Sequence, residues 1–111
     1  PWLHKHNGLY YLTYASSGDE REMMHYAKAT DMEGTWTYRG ALTGMAENSF
    51  TIHPGIIEYK GNWYLFYHNA KLTLNGIPGA IGRRSVCVDY LYYKPDGTMA
   101  YVEQTKEGIT V

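Results

Sequence analysis

Apolar and polar positions alternate with period two along much of this chain, and no stretch keeps the 3.6-residue period of an amphipathic helix. The densest alternation lies between His53 and Asn69. There Ile56 to Tyr59 and Trp63 to Tyr67 are β-branched and aromatic, as a pleated surface favours. Between them Lys60-Gly61-Asn62 reads as a turn, with Gly61 taking positive φ cheaply and Asn62 tolerating it. Antiparallel pairing across that turn brings His53 and the pair His68-Asn69 to one rim. The same hairpin opens the chain: Pro1 to Tyr14 overlays Pro54 to Tyr67 at a constant offset of 53, with Pro, Gly, Tyr, Leu and Tyr coinciding.

Each hairpin is followed by further strand-like segments. Glu22 to Ala29 is ambiguous alone but matches Ser85 to Tyr92, the most strongly β-patterned segment of the chain. Asp31 to Gly34 turns into a short strand at Thr35 to Gly40, and Lys94 to Gly97 turns into Met99 to Gln104. The offset here is 63, which puts a ten-residue insertion in the loop Ala70 to Gly82. Thr43 to Asn48 reads as a polar, irregular linker. The prediction is an all-β chain of two antiparallel four-stranded units, 1–44 and 49–111. Such units at a spacing of about 40 to 60 residues mark propeller blades, which stack radially because one blade cannot bury both faces alone. Two blades do not close a ring.

Composition narrows the possibilities. Of 111 residues, 44% are hydrophobic and 15% aromatic, twelve of them Tyr, which excludes a disordered or collagen-like chain. A net charge of −1 gives no electrostatic footprint for nucleic acid or for an anionic membrane surface. No apolar run approaches the length of a membrane-spanning helix. Cys87 is the single cysteine, so secreted, periplasmic and cytoplasmic locations all stay open. The two-blade count, with a start at Pro1 rather than Met, leads us to expect a piece of a longer protein.

Four runs, PWLHKHNGLYYLTYASSG, GTWTYRGAL, NSFTIHPGIIEYKGNWYLFYHN and GRRSVCVDYLYYKPDGT, resemble in order the last two-fifths of a glycoside hydrolase family 43 catalytic domain. That family comprises five-bladed propeller β-xylosidases, α-L-arabinofuranosidases and arabinanases. The resemblance implies hydrolysis of xylose- or arabinose-containing plant cell-wall glycans with inversion. It also implies that the catalytic carboxylates are absent: two Asp belong to earlier blades, and the acid Glu to a motif immediately before Pro1. Inverting chemistry needs two carboxyl groups roughly 6.5 to 9.5 Å apart, one protonated and one ionised.

The candidate site residues follow from both readings. His53, at the start of the innermost strand of its blade, is expected to point into the central channel, and the resemblance implies a place on the propeller axis with a calcium or sodium ion and a sugar pocket above it. Alone it cannot hold calcium, which takes six to eight oxygens. Arg84 is expected to contact substrate through its planar fork, with Arg83 second. Trp2 offers an apolar platform for a sugar face or a packing surface between blades. Asp89, inside an apolar strand, is expected to be a paired structural carboxylate. Asp31 and Asp96 read as turn residues, and Asp19, Glu20 and Glu22 as a solvated charged loop. His4 and His6 read as a solvated strand edge, Trp36 and Trp63 as packing residues; His25 carries no assigned role, and His68 carries none beyond bordering the pocket rim with Asn69. Two other functions fit the same residues: a noncatalytic carbohydrate-binding module, and an interaction unit that self-associates through exposed blade edges.

Overall fold

The computed structural model describes residues 1–17, 22–47, 49, 51–71 and 84–109. Seven strands form two antiparallel meanders, and no helix occurs among the described residues. The first sheet runs β1 (Trp2–His6), β2 (Leu9–Ser17), β3 (Glu22–Ala29), β4 (Thr37–Thr43), and the second β5 (Gly55–Tyr59), β6 (Asn62–Asn69), β7 (Ser85–Leu91). The offset of 53 read from sequence also relates the hairpin registers, since Trp2 pairs with Thr13 and Gly55 with Phe66. Both turns are two residues long. Positive φ falls on Asn7 and Gly8 in one and on Lys60 and Gly61 in the other, the type I′ requirement, so Asn62 belongs to β6 and not to the turn.

Two expectations need correction. The fourth strand of the first sheet is Thr37–Thr43, three residues later than the pattern placed its end. Bulges in the β3–β4 register and Gly40 at φ 110 carry the chain onward, so Thr43 is buried and Ala46 beyond it enters the core. Among the described residues the second sheet has three strands and not four. After a hairpin closed by Lys94 N–H to Thr98 O and Ala100 N–H to Tyr92 O, the segment expected at Met99 to Gln104 leaves its own sheet. Val102 N–H donates to Leu42 O at 2.8 Å, and the Thr43 hydroxyl donates to Val102 O at 2.8 Å. These bonds occupy part of the open edge of β4 and tie the two sheets together.

The core lies between the sheets. Tyr11, Met24, Tyr26 and Leu42 from the first meet Ile56, Leu65, Tyr67 and Leu91 from the second, with Ile52, Met99 and Val102 from the connections. Each of the large apolar side chains among them contributes about 1.5–3 kcal/mol by burial. Tyr11 and Tyr64 are equivalent by the offset, yet Tyr11 shares this core with Leu65, on the other face of β6 from Tyr64. The first sheet therefore presents one face and the second presents the opposite one, the relation that radial stacking of blades requires. β1 and β5, the innermost strands, lie side by side.

Asp89 is the buried carboxylate that the sequence suggested. It accepts hydrogen bonds from the Tyr67 hydroxyl at 2.6 Å, from Thr105 N–H at 3.1 Å and from the Thr105 hydroxyl. Burial and then the neighbouring carboxylate push the Tyr67 phenol upward, so it stays a donor. Asp31 and Asp96 close their turns through the amides of Glu33 and Thr98, as expected of such positions.

His4 and His6 do not form a solvated edge. His4 stacks on Tyr11 with centroids 4.9 Å apart, His6 stacks on Tyr93 at 3.7 Å, and Trp63 packs edge-on against His6 and Tyr93. This aromatic seam joins β1 and β2 to β6 and to Tyr93 beyond β7. His4 Nε2 lies 2.6 Å from the Tyr93 hydroxyl, while its Nδ1 is buried without a partner among the described residues. Burial, and then the nearby His6, lower the His4 pKa to about 4.

Two outcomes follow from these contacts. Asp89→Ala leaves a phenol, a hydroxyl and an amide without their acceptor, and urea unfolding should report a loss of about 3 kcal/mol. For His4, the unfolded chain takes up a proton below about pH 6.5, whereas the folded chain does so only near pH 4. Unfolding is thus favoured as pH falls through that window, with no contribution above it. The urea midpoint should drop between pH 6.5 and 4, and His4→Gln should flatten the slope.

Candidate functional site at the rim of the sheet junction

Antiparallel pairing collects the candidate residues at one end of the sheets. Trp2 pairs with Thr13 and Glu22 with Ser17 at the end of the first sheet, while Gly55 pairs with Phe66 and Ser85 with Asn69 at the end of the second. A hydrogen bond from Ile52 N–H to Glu22 Oε2, at 3.2 Å, joins these two ends. Trp2, Glu22, His53, His68 and Arg84 consequently share one rim.

His68 is at the centre of it. The alternation along β6 points it away from Tyr67 and the core, yet its ring is buried. Nε2 lies 3.4 Å from the Thr51 hydroxyl, and Nδ1 has no partner among the described residues. The exposed His53 ring meets it edge-on, with centroids 5.2 Å apart. Burial lowers the His68 pKa, the positive charge of Arg84 and the His53 imidazole lower it further, and the Glu22 carboxylate opposes them. The neutral ring is therefore the favoured form at neutral pH, able to donate from one nitrogen and accept at the other.

Of the predicted site residues, His53 packs against His68, and Arg84, the residue before β7, acts on the same imidazole through its charge. His53 stands two residues before β5 and not at its first position. Trp2 opens β1 at the same rim and is 41% exposed. Arg83, the loop from Asn75 to Gly82, and Asp19 and Glu20 lie outside the described residues. Glu22 was misread. It is a half-buried residue of β3 whose carboxylate accepts the Ile52 amide, not part of a solvated loop. Trp36 donates to Met32 O, a packing role, and His25 bonds the Tyr38 hydroxyl on the outer face of the first sheet. Glu22 was the residue the sequence undervalued. His68 stands at the rim that hairpin pairing predicts for it, and its match to Ala15 at offset 53, an imidazole in place of a methyl, is a second signal in the sequence.

Among the described residues no group of three or more His, Cys, Asp or Glu able to hold a metal converges. The ring packed against His53 is the His68 imidazole, while calcium takes six to eight oxygen ligands. A cavity of about 600 Å3 lies nearby, lined by Tyr67, Asn69, Cys87, Gln104 and Thr105 among others, but not by His53, His68 or Arg84.

Two antiparallel sheets stacked face on opposite face, with inner strands adjacent and polar side chains gathered at one rim of their junction, are blades of a β-propeller. The model of "Glycosyl hydrolases family 43" matches residues 1–105, and the chain belongs to that family. A xylosidase/arabinosidase of Bacteroides ovatus is 36% identical over 96% of this chain and 30% of its own length. Xylosidase/arabinosidase 43A of Humicola insolens is 36% identical over 86% of this chain and 27% of its own length. Among solved structures, a GH43_1 enzyme from Xanthomonas citri superposes with a TM-score of 0.78 at 34% identity, covering 99% of this chain and 31% of that one. A β-xylosidase/α-arabinofuranosidase from a compost metagenome, in complex with xylotriose, superposes with a TM-score of 0.76 at 37% identity, over 91% of this chain and 28% of that one. The chain spans about 30% of the length of such relatives.

Proposed function

We propose that this chain forms two blades of a glycoside hydrolase that cleaves xylose- or arabinose-containing plant cell-wall glycans with inversion. In this reading it supplies part of the sugar-binding rim, and the catalytic carboxylates come from outside it. The observation that carries the reading is the packing of His53 on buried His68 at the rim of the blade junction, with the Arg84 charge felt by that imidazole, in a chain matched to family 43 over residues 1–105. Arg84, with Arg83 beside it in sequence, supplies guanidinium donors for paired sugar hydroxyls, Trp2 an apolar face, and His53 an imidazole edge. His53 supplies at most one ligand, directly or through water, to a calcium or sodium ion whose oxygens come from other blades. The relatives' names and the bound xylotriose of one of them support a pentose substrate.

A second reading has its own observation. Ile57, Phe66 and Val86 lie on the outer face of the second sheet and are exposed, Val86 by 87%. An apolar face of this kind suits another blade, whether of the same chain type or of another, and noncatalytic sugar binding is compatible with either.

Incubation with aryl β-xylosides and aryl α-L-arabinofuranosides at micromolar protein should give no turnover, and measurable turnover would show that an acid/base pair is present after all. Titration with xylotriose followed by amide NMR should perturb residues flanking His53 and Arg84, and Arg84→Ala should weaken that response about tenfold. A response confined to distant residues contradicts the rim assignment. Sedimentation at rising concentration should reveal association; a monomer throughout removes the self-association reading.

A further inference from the structure

Among the described residues the segment that carries His53 pairs with no strand, and side chains hold its backbone at Thr51 and Ile52. Thr51 N–H donates to the Ser49 hydroxyl at 3.2 Å, and that hydroxyl donates to Thr51 O at 3.0 Å. Ile52 is fully buried, and its N–H donates to Glu22 Oε2, from the first residue of β3 in the other sheet. Ile52 thereby has its side chain in the shared core and its amide on a carboxylate of the facing sheet. His53 follows immediately, its ring against His68.

We propose that Glu22 is a positioning residue, which fixes the 51–53 segment from the opposite sheet and so sets where the His53 ring stands against His68. A carboxylate suits this task because a charge-assisted bond to an amide is stronger than a neutral one, and because Glu22 projects from a paired strand while the segment it holds is unpaired. The bond also makes the rim a joint property of two blades: sliding one sheet on the other breaks it before it disturbs either hairpin register. The functional weight of this inference rests on the reading of His53 as part of a sugar-binding rim; the geometric claim does not.

The test uses the whole chain labelled with 15N, and Glu22→Ala beside Glu22→Gln. In E22A the Ile52 amide should exchange about tenfold or more faster, and the His53 ring resonances should move as the ring leaves the shielding of His68. E22Q, which keeps a carbonyl acceptor, should restore most of the protection and the His53 resonances. Unmoved Ile52 and His53 signals in E22A overturn the proposal, as does a loss of protection spread evenly over β5, β6 and β7, which marks general destabilisation. Where E22A does not fold, Glu22→Met, of similar length and without an acceptor, takes its place with the same two outcomes. No sugar enters this measurement, so a failed xylotriose titration leaves the exchange and resonance results standing.

Discussion

Each sheet carries an apolar stripe that water penalises, and the two relieve it by packing the face of one on the opposite face of the other. Most other features follow from that contact. It places Tyr11 and Met24 against Leu65 and Leu91, draws the Val102 segment across to β4, and brings β1 and β5 together so that one end of each sheet shares a rim. The aromatic seam of His4, His6, Tyr11, Trp63 and Tyr93 belongs to the same junction. Its cost is a histidine held neutral in a place where a proton would be poorly solvated.

The same geometry explains why polar groups collect at the rim without satisfying one another. His68 sits in the second sheet with a buried, unpartnered Nδ1 among the described residues, the His53 ring packs against it, the Arg84 charge lowers its pKa, and Glu22 reaches over from the first sheet. A neutral imidazole offers one donor and one acceptor. The outer face of the second sheet, with Val86, Ile57 and Phe66 open, is the counterpart of the face that the first sheet buries.

Much of the fold was legible because strand patterning is local. The period-two alternation, the glycine turns and the internal offset of 53 are properties of neighbours in sequence, and the registers follow them residue for residue. The turn assignment slipped by one residue because a type I′ turn needs positive φ at both central positions, and Lys60 accepts it at φ 50 despite its Cβ. Within the rim, His53 and Arg84 were recognisable from their motifs. Glu22 was not, since its charged neighbours in sequence suggested solvent, and only the approach of Ile52 from 30 residues away gives its carboxylate a buried partner.

By itself the chain determined that it is all-β, that it contains a repeated hairpin, that His53 and His68 share a rim, and that Asp89 needs partners, because these rest on composition and on interactions within a strand or across a turn. Tertiary structure decided which face each sheet buries, that Met99 to Gln104 serves β4 instead of completing its own sheet, that His4 and His6 line a seam, that the His68 ring is buried, and that Glu22 reaches the rim. These outcomes depend on surfaces far apart in sequence competing for the same partners, and sequence periodicity carries no information about who wins that competition.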